Sequence, residues 1–291
     1  MTTCDHPETR CLGWHFILLN LVLGLAHIVV LFNVGSYVAL EPHAVGDLGG
    51  VLPSFGRWAQ TNFMIALALG FPLARSLSGH YGEPRVLNLA FIAYAVASAF
   101  CATVDSIEGF VSARILLGLA GGVTLPLSQS LLLKEYPDHL KSLGLAIWGF
   151  FTLMPFTLGL VTGGWLADHW DWRALFYLNI LLAGSIVALV AALFHGKRHD
   201  VRHEQFDLVG FSLLAVIFGG LLTILNGGND FDWFDDPLLC GMLVVVIVAV
   251  PVWIVWELGE RDPAIDLRLF AHRNFSVGLL CLVLGFLSIQ G

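Results

Sequence analysis

The chain has 291 residues, 57% hydrophobic and 12% charged, with mean hydropathy +0.80 and a formal net charge of −8. Soluble domains carry roughly 25% charged residues, so half that share with long apolar runs excludes a soluble globular protein and leaves an integral membrane protein. The runs do not alternate with period two, which excludes a β-barrel and makes the fold all-α, with the lipid bilayer as its main partner and no nucleic acid expected.

A polar tail, 1–13, carries Asp5 and Glu8 and runs into an apolar stretch too long for a signal peptide, so no cleaved leader is expected. A membrane helix needs about 20 apolar residues. Spans are predicted at 14–40, 56–75, 86–104, 110–133, 142–166, 174–195, 207–226 and 237–256, with a ninth starting near 275. The chain stops at Gly291 inside that ninth run, so it reads as a fragment or an interrupted gene product.

Charge in the links sets orientation, because Lys and Arg favour the cytoplasm. Arg10; Arg75 and Arg85; Lys134 and Lys141; Lys197, Arg198 and Arg202; and Arg261, Arg268 and Arg273 all fall on one side, 11 of the 14 basic residues. The alternate links carry Glu41 and Asp47, Asp105 and Glu108, Asp168 and Asp171, then Asp230, Asp232, Asp235 and Asp236. The N-terminus is therefore expected in the cytoplasm. Trp165, Trp170, Trp172, Trp233 and Phe234 cluster at the outer helix ends, where amphipathic rings sit at the interface.

Span one holds Asn33, Ser36 and Tyr37 in its outer half, then Glu41-Pro42-His43, read as a solvated helix end. A carboxylate at position 33 would suggest proton coupling; the residue is the neutral Asn33. Span two opens Arg57-Trp58-Ala59-Gln60-Thr61-Asn62, a polar start able to line a cavity. Span four carries Arg114 about two turns inside its outer end, and an ionisable residue in a span marks a functional site by default. Gly118, Gly121, Gly122 and Gln129 return to nearly the same face at 100° per residue, and Pro126 should kink the helix. Arg114 reads either as a buried functional charge or as an arginine reaching to the outer interface. In span five, Pro155, Gly159, Gly163 and Gly164 leave one side almost bare, for packing alone or for a hinge between rocking helices. Trp148 either walls an apolar ligand site or faces lipid.

Histidines at 195, 199 and 203 share i, i+4 spacing but sit in a basic link, and a solvated link is the expected reading. Five scattered cysteines show no metal spacing, and 226–237 has a calcium-loop composition without the spacing. No phosphate loop, nucleophile elbow or zinc-protease helix is present, so no enzyme, cofactor or metal is expected.

Several stretches together carry a family likeness: Arg114 through Leu133 to Tyr136-Pro137, Gly163-Gly164-Trp165-Leu166-Ala167-Asp168 with Trp172-Arg173 and Phe176-Tyr177-Leu178-Asn179, Pro42 through Leu48, and Trp58 through Pro72. The chain resembles the first part of the EmrB/QacA-type fourteen-helix drug:proton antiporters of the major facilitator superfamily. The resemblance implies a six-helix transport bundle over 14–195, a cytoplasmic link at 196–206, an added helix pair over 207–256, and a link with the truncated ninth helix over 257–291. The C-terminal bundle would be missing. Arg114 and Gly118 fall on the family's span-four motif, whose arginine is associated with proton coupling; Gly159, Gly163 and Gly164 fall on its antiporter motif. Arg75, Gly79, Gly82 and Arg85 stand at a degenerate cytoplasmic latch. The family has aspartate where Asn33 stands and proline where Leu160 stands.

The expected function is proton-driven efflux of hydrophobic or amphipathic compounds across the bacterial inner membrane by alternating access. Arg114 is the proton-coupling candidate. Asn33, Tyr37, Trp58, Asn62, Gln129 and Trp148 are substrate-cavity candidates, and Gly118, Gly122, Pro155, Gly159, Gly163 and Gly164 form the packing motif. The implied partners are protons, a small hydrophobic substrate and a periplasmic adaptor protein. The alternatives are a truncated half-protein that needs a second half, and a proton-independent facilitator or sensor.

Overall fold

A computed structural model of the chain describes residues 14–49, 54–136, 138–195, 206–228 and 233–290. Cys4, Asp5, Glu8, Arg10, Cys11, Pro137, Lys197, Arg198, His199, Arg202, His203, Asp230, Asp232 and Gly291 lie outside the described residues. The helices are α1 Trp14–Asp47, α2 Ser54–Tyr81, α3 Glu83–Thr103, α4 Ile107–Glu135, α5 Lys141–His169, α6 Ala174–Leu193, α7 Leu208–Gly227, α8 Pro237–Gly259 and α9 Arg273–Gln290. The described residues contain no strand. Seven of the described helices, all but α2 and α9, are long and apolar enough to cross a membrane. The chain is a multi-pass membrane protein. Helix α2 is less apolar because it opens with Arg57, Gln60, Thr61 and Asn62, yet it is held by α1, α3, α4 and α7.

Helix starts follow local chemistry. Ser106 caps α4 by accepting from Gly109 N at 3.3 Å. Asp236 caps α8 through Leu238 N and Leu239 N, with Pro237 in the first turn where its missing N–H costs nothing. The turn from α2 to α3 passes through Gly82 at φ +85°, a conformation that favours glycine. Two boundaries differ from the sequence reading: α2 runs past Arg75 to Tyr81, and α1 runs on through Glu41-Pro42-His43 to Asp47. Leu40, Ala44 and Leu48, spaced by four, are all buried, so the apolar stripe keeps the chain wound past the proline.

Glycines set the packing of the first six helices. A Cβ on Gly118 would strike the Phe63 carbonyl, and one on Gly122 the Leu67 carbonyl and Gly70, so α2 and α4 run parallel with backbones in contact. Helices α1 and α5 make a second parallel seam: Gly35 lies on the Phe156 carbonyl, Gly159 on Phe32 and Ser36, and Gly163 on the Ser36 carbonyl. Helices α1 to α6 share one core. A smaller core of Ile224, Leu239 and Val246 joins α7 to α8, and α7 lies along α2. Helix α9 packs on the short turn Leu267–Ala271 before it. Leu89, Val161, Leu181, Val244 and Val255 face outward, while Asn33, Ser36, Ser98, Arg114 and Asn179 are buried. An outer surface this apolar suits a lipid solvent, which leaves polar side chains to the interior.

Each end of the bundle is tied. At one end Arg173 bridges Asp47 and Asp105, both at 3.0 Å, and Trp172 Nε1 donates to Asp47 at 3.2 Å. At the other, Lys134 pairs with Glu83 at 2.9 Å, and Tyr136 donates to Asn20 Oδ1 at 2.6 Å.

Candidate functional site

The site forms where α1 and α2 meet α4: Gly118 and Gly122 lay α4 on α2, and Gly121 lies against Val30 of α1. Arg114 sits one turn before Gly118, so the contact that lays Gly118 on Phe63 also sets Gln60 beside Arg114. The arginine side chain is completely buried. Its Nη1 donates to Asn33 Oδ1 at 2.9 Å, and its Nη2 donates to Gln60 Oε1. Its guanidinium carbon lies 4.0 Å from the Tyr37 ring centroid and 4.2 Å from that of Phe63. No carboxylate lies within ion-pair distance of it among the described residues. Two charge-assisted hydrogen bonds at about 1.5–3 kcal/mol each and two π contacts at up to about 2 kcal/mol each act against a burial penalty of several kcal/mol. The contacts that hold the charge are neutral side chains, with Glu41 of α1 the carboxylate that acts on it from beyond ion-pair distance.

Asn33 and Tyr37 are one turn apart on α1 and meet at Arg114. Trp58 and Asn62 are half-buried in α2, where Asn62 Nδ2 donates back to the Trp58 carbonyl at 2.9 Å. Gln129 is half-buried and, fifteen residues along α4, roughly 22 Å from the Arg114 level. The face read from the sequence divides. Gly118 and Gly122 meet α2, whereas Gly121, about 80° round the helix, meets Val30 of α1 and Tyr94 of α3. Pro155 is buried within α5, Gly159 and Gly163 meet α1, and Gly164 has nothing within 4 Å. Trp148 is half-buried on α5, its ring 4.4 Å from that of His27. At the Tyr136 end, Arg75 Nη1 donates to the Pro263 carbonyl at 3.4 Å, Gly79 lies within α2, Gly82 makes the turn, and Arg85 is exposed.

His27 and Glu257 are buried ionisable residues that the sequence did not single out. His27 is 3% exposed in α1. Glu257, 1% exposed in α8, accepts from Trp253 Nε1 at 2.9 Å and Ile265 N at 3.4 Å. Neither has a motif: His27 is a single polar letter in an apolar run, and Glu257 stands at the end of one, just before Glu260-Arg261-Asp262. No described group of three His, Cys, Asp or Glu residues could hold a metal ion.

The sequence pattern of the Major Facilitator Superfamily matches residues 23–289. The chain belongs to the Major Facilitator Superfamily. It is 35% identical over 280 residues to the Multidrug export protein EmrB of Haemophilus influenzae, covering 96% of this chain and 54% of that protein. It is 34% identical over 291 residues to the Fatty acid resistance protein FarB of Neisseria gonorrhoeae, covering 99% of this chain and 56% of that one. The chain spans about half the length of these curated relatives. Among solved structures, the POT family transporter PepTSo aligns with a TM-score of 0.61 at 17% identity, over 87% of this chain and 56% of that chain. A D-xylose-proton symporter aligns with a TM-score of 0.51 at 16% identity, over 82% and 67%. These two likenesses are of fold.

Proposed function

We propose that the chain supplies the N-terminal six-helix bundle and an added helix pair of a proton-coupled exporter of hydrophobic or amphipathic compounds. In this reading it sits in a bacterial inner membrane with its N-terminus in the cytoplasm, on the side that gathers most Lys and Arg. The observation that carries it is Arg114, a permanent charge fully buried on α4 and held by Asn33, Gln60, Tyr37 and Phe63. An intramembrane charge of this kind raises the cost of a proton binding nearby, so it ties protonation to whichever conformation brings the two together.

Alternating access needs a second bundle against which this one rocks. Further sequence, a partner chain or a second copy supplies it. The α1–α5 and α2–α4 seams, with little side chain between backbones, let each helix pair move as one piece. Arg75, Gly79, Gly82 and Arg85 serve as the cytoplasmic latch, and Tyr37, Trp58, Asn62, Gln129, Trp148 and Asn33 lie toward the substrate path. Export is supported by the name of the EmrB relatives, Multidrug export protein, and the family resemblance adds the hydrophobic or amphipathic substrate class and a periplasmic adaptor protein as a partner.

The test uses the full gene product in everted vesicles from a bacterial strain lacking its own multidrug pumps. Vesicles acid inside should accumulate ethidium and release it when nigericin collapses the pH gradient. Absence of gradient-driven accumulation overturns the reading. The neutral Asn33 beside Arg114 favours a second reading, a proton-independent facilitator, in which ethidium equilibrates and nigericin changes nothing.

A further inference from the structure

We propose that His27 is the proton-carrying group of the six-helix bundle, taking a proton on Nδ1 and giving it up as the α1–α5 seam changes its exposure. The proposal rests on the antiport reading above and names the group that reading leaves open.

Three observations carry it. The first is the inventory of buried polar groups. In α1 to α6 the buried polar and ionisable side chains include His27, Asn33, Ser36, Tyr37, Tyr94, Ser98, Cys101, Arg114, Thr124, Ser128 and Asn179, with no carboxylate fully buried among the described residues. Tyrosine and cysteine ordinarily titrate well above neutral pH, at about 10 and about 8.5. Arginine keeps its proton. Imidazole is the side chain whose ordinary titration falls between pH 5 and 8.

The second is the hydrogen-bond pattern. Thr152 Oγ1 lies 3.0 Å from the Trp148 carbonyl, to which it gives its only proton. Its lone pair then accepts from His27 Nε2 at 3.1 Å. With the Thr152 proton on the Trp148 carbonyl, the matching neutral tautomer carries hydrogen on Nε2 and a bare lone pair on Nδ1, which has no hydrogen-bond partner among the described residues. A proton arriving there produces an imidazolium 4.4 Å from the Trp148 ring, whose π face attracts a cation. When the proton leaves, the lone pair on Nδ1 is restored and the Thr152 bond is unchanged.

The third is the asymmetry of the seam. Past His27 toward Asp47, α1 and α5 touch backbone to backbone at Gly35, Gly159 and Gly163. In the other direction the contacts are side chains: the Phe151 ring on Gly24, and the Tyr136 ring on Gly144. Rings can swing aside where backbones cannot, so the Tyr136 end is where the seam opens to admit water to Nδ1. Asn20, Gly24 and His27, at i, i+4 and i+7, mark that line on α1.

The groups that face His27 leave its charge uncompensated. Helix α5 presents Trp148 and Thr152, neither of which titrates. Within the bundle α4 carries the buried Arg114, and the ion pairs of Lys134 with Glu83 and of Arg173 with Asp47 and Asp105 lie at the bundle's ends. Arg114 meets α1 at Asn33, six residues on and about two-thirds of a turn round the helix. The next ionisable group along the seam is Tyr136, whose hydroxyl burial holds above the ordinary phenol range.

The test compares wild type, His27→Gln and Thr152→Val as full gene products in everted vesicles, with ethidium as the probe. His27→Gln should insert normally, exchange ethidium down its gradient, and lose gradient-driven accumulation. Thr152→Val, which removes the acceptor for Nε2, should shift the pH midpoint of accumulation. Gradient-driven accumulation in His27→Gln equal to wild type overturns the proposal and leaves the antiport reading standing. If His27→Gln does not reach the membrane, an unshifted midpoint in Thr152→Val overturns it instead. Wild-type vesicles with no gradient-driven accumulation overturn both.

Discussion

Replacing Gly122 with alanine tests the seam that builds the Arg114 site. The added methyl meets the Leu67 carbonyl, with the Leu67 carbon at 2.8 Å and Gly70 Cα at 2.9 Å. Optimal carbon contacts lie at about 3.5–4.0 Å, so α2 and α4 must part by roughly 0.7–1 Å. The opposing atoms are backbone, and no rotamer change relieves them. Overpacking of this kind costs about 1–3 kcal/mol, and alanine recovers up to about 1 kcal/mol of helix propensity. The expected net loss is about 1–2 kcal/mol. Gly164→Ala is the matched control, since nothing lies within 4 Å of its added carbon. Thermal unfolding in detergent, followed by tryptophan fluorescence, should place Gly122→Ala several degrees below wild type and Gly164→Ala at or above it. Equal melting of the two variants would refute the claim that backbone contact at Gly122 sets the spacing of α2 and α4.

Other outcomes follow from single contacts. Asn33→Asp sets a carboxylate against Arg114 Nη1 and should shift the pH dependence of ethidium accumulation and raise its proton-dependent part; an unchanged profile counts against coupling at this site. Arg173→Ala breaks ion pairs whose acidic partners are well exposed, at 53% for Asp47 and 89% for Asp105. It should lower stability by at most about 1 kcal/mol, with the deficit shrinking in high salt when melts are compared. Glu257→Gln keeps only one oxygen to accept from Trp253 and Ile265 N, so the segment after α8 should loosen and trypsin should cut faster at Arg261; unchanged cutting refutes that role.

What could be read from the sequence depended on the range of the signal. Long apolar runs gave the helices, because a bilayer demands about twenty apolar residues in a row. The end of α1 was misplaced because Glu41-Pro42 is a local stop signal. The burial of Ala44 and Leu48 that overrides it is tertiary. Arg114 stood out as a charge where charges are costly, and Asn33 stood out as the place where the family has aspartate, but the other groups around the guanidinium did not. Gln60 sits 54 residues away in a polar turn, and Phe63 looked like any apolar letter. Helical arithmetic put Gly121 with Gly118 and Gly122, yet an 80° difference is enough to reach a different neighbour. His27 had no local pattern at all: its meaning comes from Trp148 and Thr152, more than 120 residues further on and brought near by the α1–α5 seam.

The most direct test of the central claim is ethidium accumulation by Arg114→Ala in everted vesicles, with protein in the membrane matched to wild type by immunoblot. Loss of the guanidinium leaves Asn33 Oδ1 and Gln60 Oε1 without their donor and removes the buried charge. The account expects normal insertion and no gradient-driven accumulation. Wild-type accumulation by Arg114→Ala, with the same response to nigericin, would contradict it.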